Sequence, residues 1–197
     1  MATPKRTWYK GASYHITARG NHRNDIFRDE SDFRMYLIIM KESIKYYQEY
    51  NYELTCYCLM TNHVHLLIRA NEKEIEHLMR RVHSIYSRYF NKKYNYVGHL
   101  WQDKYFAELI EDDKQMLETS RYIHLNPVRA KMVEEAQEYE WSSYSIFIGL
   151  IEEGFTVSQN ILSYFKRDNN KNLYRRFVES AIKAKVDEEV MHNGSSS

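Results

Sequence analysis

The stretch Tyr52-Glu53-Leu54-Thr55-Cys56-Tyr57-Cys58-Leu59-Met60-Thr61-Asn62-His63-Val64-His65-Leu66-Leu67-Ile68-Arg69-Ala70 holds two alternating segments joined by a turn. Side chains on a strand point alternately to its two faces, so the first segment predicts Tyr52, Leu54, Cys56 and Cys58 on one side. Thr61-Asn62 supplies the turn. His63–Ala70 then alternates again, with Val64, Leu66 and Ile68 on the core side, and the pair reads as a β-hairpin.

Upstream, Tyr14-His15-Ile16-Thr17-Ala18 predicts a strand that ends at Arg19-Gly20-Asn21. Phe33, Tyr36, Leu37, Met40, Ile44 and Tyr47 then form the stripe of an amphipathic helix from near Ser31 to near Tyr50. Downstream, Ile75, Leu78, Val82, Ile85 and Tyr89 predict a second helix to about Lys92. Gly98 opens a connection to a fourth strand over Lys104–Ile110. Asp112 or Asp113 can cap a third helix that turns Met116, Leu117, Ser120 and Ile123 inward. Pro127 is expected to end it, because the residue before a proline is pushed out of the α region. The order is β-α-β-β-α-β plus a helix. That is an α+β class, the ferredoxin-like split βαβ: an antiparallel sheet with helices on one face. Ile161, Leu162, Phe165, Leu173, Phe177 and Ile182 add a helical C-terminal appendage. The expected organisation is a domain over 1–150, a helical extension over 151–190 and a flexible tail over 191–197.

Composition narrows the function classes. Six glycines and two prolines in 197 residues leave little room for long loops, disorder or collagen-like repeats. Eighteen tyrosines against eight phenylalanines suit a large core with polar edges. Cys56 and Cys58 cannot make a disulfide framework or a four-cysteine zinc site, and read as small packing residues. No apolar run approaches the length of a membrane span and the N-terminus lacks a signal h-region, which predicts a cytoplasmic protein without a membrane partner. The formal net charge is +1. Its distribution is uneven: Lys5, Arg6, Lys10, Arg19 and Arg23 lie in an acid-free N-terminal zone. Arg80, Arg81, Arg88, Lys92, Lys93 and Lys104 crowd residues 79–106, with Asp103 the single acid. Such zones either form a polyanion-binding surface or are solvated helix faces.

Two constellations carry chemistry. On a strand, His63 and His65 point the same way with Cα atoms about 6.5 Å apart, close enough for both imidazoles to turn onto one ion. They read equally as polar residues on a solvated face. On the third helix, Gln115, Glu118, Tyr122, Asn126 and Arg129 fall on one stripe. A phenol, with an ordinary pKa near 10, is a poor nucleophile without a cation or base nearby. A divalent ion on His63, His65 and an oxygen of Asn126 or Glu118 would polarise a phosphoryl group for Tyr122. Tyr122 is otherwise one structural tyrosine among many.

Four segments stand in order: 14–21 (YHITARGN), 60–68 (MTNHVHLLI), 98–105 (GHLWQDKY) and 121–128 (RYIHLNPV). With Trp141-Ser142-Ser143-Tyr144, they resemble the single-tyrosine HUH transposases of insertion sequences, in particular the REP-associated tyrosine transposase branch. The resemblance spans residues 9–147. It implies that His63 and His65 are the metal ligands and Tyr122 the nucleophile, in DNA transposition and recombination. The expected chemistry is metal-dependent cleavage and rejoining of single-stranded DNA through a 5′-phosphotyrosine. Relatives place a glutamine one turn after the tyrosine, where this chain has Asn126, so the third ligand is Asn126 or water. Mg²⁺ and Mn²⁺ are the expected ions. Hairpin DNA is the expected partner, contacted by Arg19, Asn21, Arg23, Trp101 and Lys104; Trp101 either stacks on an unpaired base or plugs the sheet. Monomer and homodimer are both compatible with the resemblance. Two rival readings are a domesticated hairpin-binding protein that does not cut and a phosphodiesterase that uses an activated water.

Overall fold

The computed structural model describes residues 7–194, with side chains as far as residue 182. Lys5, Arg6 and residues 195–197 of the expected tail lie outside the described residues. Four strands, β1 (Ala12–Arg19), β2 (Tyr52–Met60), β3 (His63–Ala70) and β4 (Phe106–Leu109), form one sheet in the order β2-β3-β1-β4. Every neighbouring pair is antiparallel. β1 and β2 therefore run parallel on either side of β3, the split βαβ expected from the element order.

Helix α1 (Glu30–Tyr46) begins at Asp29, whose carboxylate accepts from the Asp32 amide while the Asp32 carboxylate accepts from the Asp29 amide. Chain 48–50 continues as a 3-10 turn rather than as α-helix. Helix α2 (Glu76–Tyr94) packs beside α1. Between them Lys93 meets Asp29 and the buried Asp32, each at 2.7 Å, and Arg81 lies over the Tyr46 ring at 3.8 Å. Two cations of the second basic zone thus serve helix packing.

Both faces of the sheet are covered, whereas the sequence predicts helices on one. Tyr14, Ile16, Ala18, Val64, Leu66 and Ile68 join α1 and α2 in one core. Cys56, Cys58, Met60 and Leu67 form a second core with α3 (Asp113–Arg129), α4 (Tyr144–Phe147), α5 (Gln159–Leu162) and α6 (Asn170–Gly194). The C-terminal helices are therefore part of the molecule's packing, and residues 191–194, expected as tail, continue α6.

Two further expectations are corrected. Cys56 and Cys58 do not share a face with Tyr52 and Leu54, because the β2–β3 register shifts between Leu54 and Cys56. The extra residue flips the alternation, so Tyr57 and Leu59 join Tyr52 and Leu54 in the first core instead. Pro127 does not end α3, which runs on to Arg129. The helix closes with Lys131 in the left-handed region (φ 56°), where the Lys131 and Met132 amides donate back to Val128 and Pro127. This turn satisfies the terminal carbonyls one turn beyond the proline. The fourth strand is also shorter than expected, four residues instead of seven.

Candidate active site

Cross-strand register builds the site. β1 sends Tyr14, Ile16 and Ala18 into the first core, so His15 and Thr17 emerge on the opposite face. Pairing of β1 with β3 sets Thr17 against His65 and Arg19 against His63. Pairing of β1 with β4 sets His15 against Glu108. The His63 and His65 ring centroids are 5.0 Å apart, and the His15 ring stacks on His65 at 5.2 Å. Sequence reasoning missed His15, Thr17 and Glu108. Their signal lies in strand pairing and not in local spacing.

Each ligand candidate is held through Nδ1. Asn62 Oδ1 lies 2.6 Å from His63 Nδ1 and the Asn62 amide donates to the Arg23 carbonyl, fixing the hairpin turn beneath the ring. The 21–24 loop tucks under this turn only because Gly20 has no side chain: a Cβ there would sit 2.2 Å from the Asn24 carbonyl oxygen. His65 Nδ1 lies 3.0 Å from His15 Nε2 and 3.3 Å from Thr17 Oγ1. Burial lowers the His63 pKa to about 4, helped by the Arg19 charge. Burial, with His63, His15 and Arg19 adding to it, lowers His65 to about 2. Burial lowers His15 as well, partly offset by Glu108. All three imidazoles are neutral at pH 7.

Helix α3 brings its polar stripe onto this patch. In the same chain, the Tyr122 ring stands edge-on to His65 at 5.5 Å and to His15 at 5.9 Å. Tyr122 is 38% exposed, Arg129 lies over its ring at 5.0 Å, and Glu118 pairs with Arg121 beside it. A shallow cleft collects His15, Glu108, Glu118, Thr119, Arg121, Tyr122 and Arg129. The reverse side of the helix is anchored by the fully buried His124, two positions along. Its Nδ1 lies 2.7 Å from Tyr174 Oη and its Nε2 2.9 Å from Ser143 Oγ, which accepts from the Tyr57 amide. Trp141 stacks on Phe33 at 4.7 Å and its carbonyl accepts from the Leu59 amide. The Trp-Ser-Ser-Tyr segment therefore fastens the helix that carries Tyr122 to the edge of β2.

The donor set fits a divalent cation. Both histidines are neutral, both have Nδ1 engaged, and neither Nε2 has a hydrogen-bond partner among the described residues, the pattern of imidazoles held from behind by a second layer of hydrogen bonds. Among the described residues no group of three or more His, Cys, Asp or Glu is disposed around one ion. The Asn126 amide donates to the Tyr122 carbonyl at 2.9 Å, which leaves Oδ1 as its free acceptor.

Residues 9–126 match the family model described as transposase IS200 like. The chain belongs to this family. It is 27% identical over 158 residues to a Haemophilus influenzae protein named as a REP-associated tyrosine transposase, covering 73% of this chain and 86% of that one. A solved REP-associated tyrosine transposase bound to a REP hairpin has the same fold, with a TM-score of 0.63 at 15% identity over 82% of this chain and 93% of that one. The family resemblance carried by the four motifs is borne out.

In this transposase the five expected DNA-contacting residues gather at the His63 end of the sheet. An isolated bridge pairs Gly20 with Trp101, the Gln102 amide donates to the Arg19 carbonyl, and the Asn21 amide donates to the Leu100 carbonyl. Arg19, Arg23 and Lys104 are exposed. Trp101 is half-buried, its ring stacked on His83 at 4.1 Å and set near Tyr36 and Tyr86. From Asn21 and Lys104 an open groove of about 870 Å³ runs along α2 past Arg80, Ser84 and Arg88. Arg80 and Arg88 of the second basic zone line this groove. No described helix is long and apolar enough to cross a membrane.

Proposed function

We propose that this chain cuts and rejoins single-stranded DNA beside a hairpin, with Tyr122 as the nucleophile acting in cis. The observation that carries the reading is the placement of the Tyr122 ring 5.5 Å from His65 within one chain, on an exposed stripe facing two neutral histidines with free Nε2 atoms. His63 and His65, with Asn126 Oδ1 or water, would hold Mg²⁺ or Mn²⁺. That ion supplies charge neutralisation and polarisation of the scissile phosphate.

The chain's own residues do the rest. Tyr122 gives up its phenolic proton to solvent water and its oxygen attacks phosphorus. The bond from phosphorus to the 3′-oxygen breaks, and that oxygen takes a proton to leave as a 3′-hydroxyl. A 5′-phosphotyrosine remains, and attack by a 3′-hydroxyl reverses the step without ATP. Arg129, over the Tyr122 ring, places positive charge beside the reacting phosphate. The groove walled by Arg80, Arg88 and Lys104 suits the phosphate backbone of the hairpin or its flanking strand, with salt-dependent affinity. The hairpin named for the solved relative is the expected class of substrate.

The test is incubation with hairpin DNA carrying a labelled single-stranded flank, with Mn²⁺ or EDTA. A covalent adduct on Tyr122 that needs the metal supports the proposal. Turnover that survives Tyr122→Phe would establish a water nucleophile, and hairpin binding without any nick would establish a binding protein.

A further inference from the structure

Behind His65 lies a chain of polar groups that the cleavage chemistry does not itself use. His15 Nε2 stands 3.0 Å from His65 Nδ1, and His15 Nδ1 faces Glu108 Oε2 at 3.9 Å across the β1–β4 pair. Glu108 is steadied in turn by the Gln115 amide at 3.3 Å, from the first turn of the tyrosine helix. A neutral imidazole carries its proton on one nitrogen only, so two touching histidines have two possible arrangements. In one, His15 donates from Nε2 and presents its bare Nδ1 lone pair to the Glu108 carboxylate, an unfavourable meeting of two acceptors. In the other, His15 keeps its proton on Nδ1, towards Glu108, and accepts from His65 Nδ1–H. The carboxylate selects the second arrangement. His65 is then left with an unprotonated Nε2, the only form in which that nitrogen can bind a cation.

We propose that His15 and Glu108 are positioning residues that fix the tautomer and ring orientation of His65, so that its Nε2 lone pair faces the Tyr122 side before any metal arrives. The inference rests on the reading of His65 as a ligand, but its tautomer component stands apart from metal binding. His15 also packs against the Tyr122 ring, so the same side chain spaces nucleophile and ligand. Thr17 Oγ1, at 3.3 Å from the same Nδ1, offers a weaker second acceptor.

Long-range ¹H–¹⁵N spectra of the metal-free protein read the protonated nitrogen of each ring. In the wild type, His65 and His15 should both carry the proton on Nδ1. His15→Phe should shift His65 towards the Nε2-protonated form and weaken Mn²⁺ binding, read by titration in an EPR tube, by about tenfold or more. His15→Gln, whose side-chain carbonyl can accept from His65 Nδ1, should recover affinity to within about threefold of wild type. Glu108→Gln, on the exposed edge strand and safe for folding, should lower the Nδ1-protonated fraction of His65. A wild-type His65 protonated on Nε2, equal Mn²⁺ affinity in wild type and His15→Phe, or an unchanged His65 tautomer in Glu108→Gln would each overturn the proposal. If the wild type binds no Mn²⁺, the metal reading fails while the tautomer spectra still decide this one.

Discussion

The two faces of the sheet are built from alternate residues of the same strands, yet a histidine on each is held in opposite ways. Under α1 and α2, Tyr14, Ile16, Val64, Leu66 and Ile68 meet a wall of rings from Phe27, Tyr36, Tyr86 and Phe90. The histidine of that side, His83, lies stacked on Trp101 with its Nε2 buried and without a partner. On the opposite face the buried His124 has both ring nitrogens bonded, and the network passes through Ser143 and Tyr174 to the helix that carries Tyr122. A buried imidazole is affordable on either face, but only a bonded one fixes an orientation. The aromatic face supplies mass and the polar face supplies aim.

The sharpest test of that contrast is Tyr122 itself. Tyr122→Phe should leave no detectable covalent adduct while hairpin affinity stays within about twofold, since ring packing survives and only the attacking oxygen is lost. Next in size, His124→Phe should cost about 2–3 kcal/mol in urea unfolding, because it strips partners from Ser143 and Tyr174 in the core. It should also slow adduct formation at saturating DNA. A His124→Phe chain as stable and as active as wild type would break the comparison.

Acid should reveal the same network. Burial lowers the His124 pKa to about 3, so between its unfolded value near 6.5 and that point the unfolded chain binds the extra proton. Stability is therefore complete above pH 6.5 and falls as pH drops towards 3, at up to about 1.4 kcal/mol per pH unit from this residue. The slope of unfolding free energy between pH 6 and 4 should be shallower in His124→Phe than in wild type; identical slopes would remove His124 from the account. Smaller still, Arg80→Ala with Arg88→Ala should reduce the salt dependence of hairpin binding by about one phosphate contact each. The adduct rate at saturating DNA should not change. Smallest of all, His83→Phe should change stability by less than about 1 kcal/mol, since it replaces a partnerless nitrogen on an already aromatic face. A loss as large as that of His124→Phe would erase the distinction between the two sides.

Much of the architecture was legible because helices and strands write their periods into the chain. The two-residue period put His63 and His65 together, and the 3.6-residue period put Tyr122 on a polar stripe with Glu118, Asn126 and Arg129. Misreadings came where a local rule met a competing one. The alternation of β2 was read straight through Thr55, where the register shifts and the faces exchange. The steric rule at Pro127 was outweighed by a closing turn at Lys131 that satisfies the last carbonyls. The C-terminal helices follow the apolar spacing of their segment, and what that spacing does not carry is that Tyr174 and Val178 are buried in the sheet's second core.

The sequence by itself determined the element order, the transposase motifs, the facing pair of histidines and the place of Tyr122 on a polar helical stripe. The element order and the facing histidines follow from periods and spacings fixed by backbone geometry within a few turns, whereas the motifs and the choice of Tyr122 are what the family resemblance implies. Only the tertiary structure decided that Tyr122 reaches the histidines of its own chain and that His15 and Glu108 stand behind His65. It also decided that Arg81 and Lys93 are spent on helix packing while Arg80 and Arg88 face a groove. Those outcomes depend on strand register and helix docking between segments far apart in the chain, and no local period carries that information.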